Sequence, residues 1–124
     1  MNEVKPIENV LLVDDEKDIC DLLCAMLRKG GTTCRKAYSL KEARAELLTG
    51  DFDAIFLDVN LPDGLGYELL PDIRRSRSDT QVFAISAMDQ ERGNALSAGA
   101  DTFISKPFDR STIFNSIRDL GFTI

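Results

Sequence analysis

The chain has 124 residues, 44% of them hydrophobic, enough to bury one core without disulfides or a structural metal. Its formal charge of −6 and pI near 4.6 exclude the basic clustering that a nucleic-acid surface needs. It contains no His, which rules out Ser-His-Asp and Cys-His catalysis, His-ligated zinc and any phosphohistidine within the chain.

In chain order, the opening MNEVKPIE is short and polar and is expected to be a frayed lead-in over residues 1–8. Val10 to Val13 predicts a first strand. Ile19, Leu22, Leu23, Met26 and Leu27 recur at helical spacing up to Gly30-Gly31. Thr32 to Ala37 predicts a second, more polar strand nearer an edge. Ser39 and Glu42 form a capping box that opens a helix ending at Gly50. Ala54 to Leu57 predicts a third strand buried on both faces, and Tyr67 to Arg75 a helix in which Pro71 must lie in the first turn or kink the axis. Val82 to Ile85 predicts the fourth strand, Gln90 to Ser97 a helix stopped at Gly99, Thr102 to Ile104 the fifth strand and Thr112 to Leu120 the last helix.

Fivefold strand–helix alternation without repeat or internal linker predicts one domain over residues 1–124, a doubly wound α/β parallel sheet covered on both faces. Ligands of such sheets bind beyond the carboxyl ends of the strands. Cys20, Cys24 and Cys34 have no further Cys or His partners and read as small hydrophobes of a reducing cytoplasm. With no basic run and no long apolar stretch, neither a targeting signal nor a membrane span is expected, and the chain reads as cytoplasmic.

The residues that follow the strands carry the chemistry. Asp14 and Asp15 follow the first, Asp58 the third, Ser86 the fourth and Lys106, before Pro107, the fifth. Singly, each has a plain structural reading: Asp15 as a helix cap, Asp58 as an Asx-turn, Ser86 as a turn residue, Lys106 as a solvated cation. Together, three carboxylates at one sheet edge repel unless a counter-charge joins them. Three carboxylates and one ammonium leave a charge of minus two, and an all-oxygen donor set favours Mg²⁺, or Mn²⁺ in its place. A strand-end Asp beside such an ion, a Lys and a hydroxyl is equipped to attack phosphorus and hold an acyl phosphate.

These residues sit in VLLVDDE (Val10 to Glu16), DAIFLDVNLPDGLGYELL (Asp53 to Leu70), VFAISA (Val82 to Ala87) and GADTFISKPF (Gly99 to Phe108). In that order they resemble the receiver domain of bacterial two-component response regulators, of the chemotaxis-regulator type, over nearly the whole chain. The resemblance implies a flavodoxin-like (βα)5 fold with strand order 2-1-3-4-5. It implies Asp58 as phosphoacceptor, Asp15 as direct Mg²⁺ ligand, Asp14 acting largely through water, and the Asn60 backbone carbonyl completing the metal shell. It further implies Ser86 and Lys106 as partners of the phosphoryl group, Val59 and Ala87 as backbone donors, a cis bond before Pro107, and Phe103 as the aromatic switch residue paired with Ser86. The implied partners are a sensor histidine kinase or histidine phosphotransfer protein and a downstream target or fused output domain, with no nucleic acid or membrane bound by this chain. The implied output is repacking of the face built from the fourth helix, fifth strand and fifth helix. Such a chain is a switch rather than an enzyme, beyond self-phosphorylation from a donor and slow self-dephosphorylation. Two rivals remain at this stage: a phosphatase of the haloacid dehalogenase type, which wants a carboxylate where Asn60 stands, and a receiver that only docks partners.

Overall fold

The computed structural model describes residues 5–124; Met1 to Val4, the first half of the expected lead-in, lie outside the described residues. Five parallel strands form the central sheet: β1 (Asn9–Val13), β2 (Thr33–Ala37), β3 (Ala54–Asp58), β4 (Gln81–Ser86) and β5 (Thr102–Ser105). Their order is 2-1-3-4-5, with every neighbouring pair parallel. The helices between them are α1 (Lys17–Arg28), α2 (Leu40–Thr49), α3 (Leu70–Ser76), α4 (Glu91–Ala98) and α5 (Arg110–Asp119).

Strand alternation divides the core into two layers. Leu11, Val13, Ile55, Leu57, Val82, Ala84 and Phe103 face one side, where Leu40, Ala43, Leu69, Ile73 and Ala95 of the α2–α4 layer cover them. Val10, Leu12, Phe56, Phe83, Ile85 and Ile104 face the other, under Leu23 and Leu27 of α1 and Ile113 and Ile117 of α5. Phe56 and Phe83 stack with centroids 4.5 Å apart across β3 and β4. Burying either ring stabilises the fold by roughly 1.5–3 kcal/mol. The three inner strands therefore hold the sheet edge rigidly, and that edge carries the site. β2 alternates exposed and partly covered residues, as an edge strand does. Among the described residues, no helix is long and apolar enough to cross a membrane.

Several local features depart from the linear reading. Lys5–Pro6 pairs in parallel with Phe122–Thr123, and Ile7 is buried, so residues 5–8 are not a frayed lead-in. The cause is a pairing between the two ends of the sequence, which no local pattern reveals. The third helix begins with a 3₁₀ turn over Gly66–Leu69, after which Pro71 falls in the first turn of α3, where its missing N–H costs nothing. At α2 the Ser39 hydroxyl accepts from Glu42 N, but the Glu42 carboxylate accepts from Tyr38 N rather than from Ser39. The remaining donors of that helix start go to Asp63, which accepts from Leu40 N at 2.8 Å and Lys41 N at 3.0 Å. Cys20, Cys24 and Cys34 are all free thiols; burial pushes Cys20 and Cys34 up to about 12, so both stay protonated.

Candidate functional site at the carboxyl edge of the sheet

β1, β3 and β5 run through buried apolar residues and lead into Asp14, Asp58 and Lys106, so each delivers a polar side chain to the same edge. Among the described residues, Asp14, Asp15 and Asp58 form a group whose carboxylate oxygens lie within 4.8 Å of one another. Asp14 and Asp58 are buried, while Asp15 is exposed. Lys106, its side chain 14% exposed, places Nζ 2.9 Å from Asp14 Oδ2 and 3.6 Å from Asp58 Oδ2. Asp14 Oδ2 is buried and charge-paired with this ammonium. Asp14 Oδ1 accepts from Glu16 N at 2.9 Å, and Asp58 Oδ1 accepts from Asn60 N at 3.3 Å, which closes an Asx-turn.

The electrostatics follow from burial. Asp58 is pushed up to about 6, first because the charged form loses solvent and then because Asp14 lies beside it; Lys106 opposes both. Burial pulls the Lys106 ammonium down, but Asp14 and Asp58 outweigh it and hold it above the ordinary lysine value. One cation thus serves a pocket that holds more negative charge than it can balance. A further carboxylate, that of Glu16, approaches Lys106 to 3.5 Å from the rim.

The remaining residues singled out in the sequence take these positions. Ser86 ends β4 and is buried; its Oγ accepts from Met88 N at 3.0 Å. Val59 is buried and its N–H donates to Ile85 O at 3.0 Å, so the sheet occupies the donor that the resemblance assigns to a phosphoryl oxygen. Ala87 and Asn60 are exposed at the mouth. The Lys106–Pro107 bond is cis. Phe103 is buried beneath the Arg92 guanidinium, 4.8 Å from the ring centroid.

Other contributors carry weaker signals. Glu16 closes the acidic run of VLLVDDE and was legible only as a neighbour of Asp15. Gly66 is required because a Cβ there would meet the Asp58 carbonyl oxygen at 2.3 Å, and Gly66 N donates to Val59 O. The ties of Asp89 to Ser105 and of Glu91 to Tyr67 join segments distant in sequence and leave no local mark.

An acidic pocket at this edge of a 2-1-3-4-5 sheet, with a lysine above the strand-end carboxylate, defines the class. The response regulator receiver domain model matches residues 10–118, and the chain belongs to that family. It is therefore a response regulator receiver domain, the signalling-switch module of two-component systems.

Among particular relatives, it is 32% identical over 111 residues to the transcriptional regulatory protein DltR of Streptococcus agalactiae, covering 88% of this chain and 50% of DltR. It is also 32% identical over 114 residues to the response regulator SaeR of Staphylococcus aureus, covering 90% of this chain and 50% of SaeR. The chain spans about half the length of these curated relatives. A two-component response regulator from Clostridium difficile superposes with a TM-score of 0.84 at 28% identity, covering 91% of this chain and 94% of that one. TrrA of Thermotoga maritima, solved in complex with Mg²⁺-BeF, gives 0.82 at 27% identity, covering 92% and 99%.

Proposed function

We propose that Asp58 accepts a phosphoryl group from a phosphohistidine on a sensor kinase or histidine phosphotransfer protein, in a reaction that uses Mg²⁺, or Mn²⁺ in its place. The observation that carries this reading is the gathering of Asp14, Asp15 and Asp58 oxygens within 4.8 Å of one another beside a single ammonium.

The donor set fits a hard divalent cation. It is all oxygen, three carboxylates and one backbone carbonyl, and Asp14 Oδ2 is buried beside only one ammonium. Asp14, Asp15, Asp58 and the Asn60 carbonyl are the groups that would hold it. When bound, the ion supplies positive charge that neutralises the carboxylates and the phosphoryl oxygens.

The rest is the work of this chain. Ionised Asp58 offers an oxygen to phosphorus; the new O–P bond forms as the donor's P–N bond breaks, and the imidazole leaves with the electron pair. Lys106, already close to Asp58, pairs with the incoming phosphoryl oxygens. The Ser86 hydroxyl keeps its proton free to donate while its oxygen accepts from Met88 N. Ala87 N is the backbone donor nearest in sequence to Ser86. Val59 N can join it only by giving up Ile85 O.

Phosphorylation replaces one negative charge with about two. Lys106 and Ser86 stand at the ends of β5 and β4, so the added charge draws on both strands. The output is repacking of the face formed by α4, β5 and α5, with Phe103 and Ser86 as switch residues. A downstream protein or a fused output domain reads that face. A shift of this kind needs about 1–3 kcal/mol of differential stabilisation.

The test is incubation with Mg²⁺ and acetyl phosphate followed by intact-mass measurement. One base-labile phosphoryl adduct is expected, absent in Asp58→Ala and absent when the metal is chelated. An adduct that persists in Asp58→Ala would overturn the assignment.

A further inference from the structure

Ala87, Met88, Asp89 and Gln90, which carry the chain from β4 to α4, are all exposed. No burial fixes their course, so the ordering entropy of this loop must be met by polar contacts. The Ser105 hydroxyl donates to Asp89 Oδ1, a tie from the loop itself to the last residue of β5. Just below, the Tyr67 hydroxyl donates to the Glu91 carboxylate, and Arg92 lies over Phe103; these hold the first turn of α4. Within the loop, Met88 N donates to Ser86 Oγ, and the Asp89 tie is the contact that reaches the neighbouring strand.

The location gives that tie its meaning. Ser86 and Ser105 are register partners on adjoining strands, and Lys106 N donates to Ser86 O at 2.9 Å. Asp89 reaches back from the loop to Ser105, closing a ring that contains Ser86 and Ala87 on one side and ends beside Lys106 on the other. The hydroxyl, the backbone donor and the ammonium assigned to the phosphoryl group are thus joined through one side-chain contact.

We infer that Asp89, held by Ser105, is a positioning residue for phosphoryl transfer to Asp58. It touches no reacting atom, and its role is to keep the loop bearing Ser86 and Ala87 against the end of β5. This rests on the reading of Asp58 as acceptor. The carboxylate acts here as a hydrogen-bond acceptor and not through its charge, so the amide of Asp89→Asn can replace it whereas Asp89→Ala cannot.

The experiment uses the full chain with Mg²⁺ and acetyl phosphate. In that reaction the Asp58 O–P bond forms as the P–O bond of acetyl phosphate breaks and acetate leaves with the electron pair. Intact mass gives the rate, and hydrogen exchange at residues 87–92 reads the loop without any donor. Asp89→Ala and Ser105→Ala are each expected to slow uptake by about three- to tenfold, the effect of losing one ordinary hydrogen bond. Both are expected to speed exchange in the loop. The double variant is expected to be no slower than either single one, and Asp89→Asn to stay within about twofold of the parent.

Alanine variants that loosen the loop yet take up phosphoryl at the parent rate would overturn the positioning role and leave Asp58 as acceptor. Equal acceleration by Asp89→Asn and Asp89→Ala would also overturn it, by assigning Asp89 a purely repulsive charge. A parent chain that takes up no phosphoryl group removes the Asp58 reading and the role of Asp89 with it.

Discussion

The two edges of the sheet are built on a similar charge motif and differ in burial. At the amino edge, Arg77 meets Asp51, Asp53 and Asp79 at 3.3, 3.2 and 2.7 Å. At the carboxyl edge, Lys106 meets Asp14 and Asp58, with Asp15 beside them. Each edge sets one cation among three aspartates, yet Asp51 and Asp79 have 79% and 57% of their side chains exposed, against 4% and 7% for Asp14 and Asp58. Asp53, the most covered of the amino-edge set, is satisfied by Glu8 N and Asn9 N, both at 2.9 Å. Water and backbone donors dissolve the imbalance at one end, and burial concentrates it at the other. Charge count alone does not mark a site; an uncompensated charge kept from solvent does.

Removal of the cation separates the edges most sharply. Lys106→Met in metal-free protein leaves two buried carboxylates unpaired and is expected to cost about 3 kcal/mol near pH 7.5, read by urea unfolding. The loss should shrink near pH 5, where Asp58 takes up a proton. A loss no larger than that of Arg77→Met would erase the distinction. Next in size is the response to metal. Free Mg²⁺ at a hundredfold its Kd should stabilise the parent by about 2.7 kcal/mol. Asp53→Asn should retain that gain, and Asp14→Asn and Asp58→Asn should lose it.

Proton linkage gives the third contrast. Folded Asp58 holds its proton up to about 6, above the ordinary carboxylate value that applies in the unfolded chain. Between those values the folded state binds more protons, so this contribution is fully present below the window and is lost as pH rises through about 6. Metal-free protein should lose roughly 2–3 kcal/mol across it, and Asp58→Asn should flatten the slope. Arg77 holds Asp79 below the ordinary value, so the amino edge has the opposite sign: its contribution exists above the unfolded value and fades as pH falls. The smallest expected effect is Arg77→Met itself, under about 1 kcal/mol in the same unfolding assay, because exposed pairs trade water for little.

The parallel α/β sheet and the clustering of Asp14, Asp15, Asp58 and Lys106 were legible because strands buried on both faces must end somewhere, and the polar residue at each end had few other uses; the strand order came only with the family resemblance. Helix starts were legible where a cap announced them, as at Ser39, and less so at α3, where a 3₁₀ turn precedes Pro71. What stayed hidden depends on partners far away in the chain. Ile7 reads as part of a polar tail until Lys5–Pro6 pairs with Phe122–Thr123. Val59 reads as a free donor until Ile85 O takes its N–H. Phe103 and Arg92 stack across elements that no spacing connects.

Asp63 makes the stretch after β3 a ruler as well as a turn. Its two oxygens close the start of α2, so the span from Asp58 to Asp63 fixes how far that helix stands from the acidic pocket. A residue inserted or deleted within it would uncap α2 even if every pocket side chain were kept. Drift in sequence along this stretch is therefore far cheaper for the fold than drift in length.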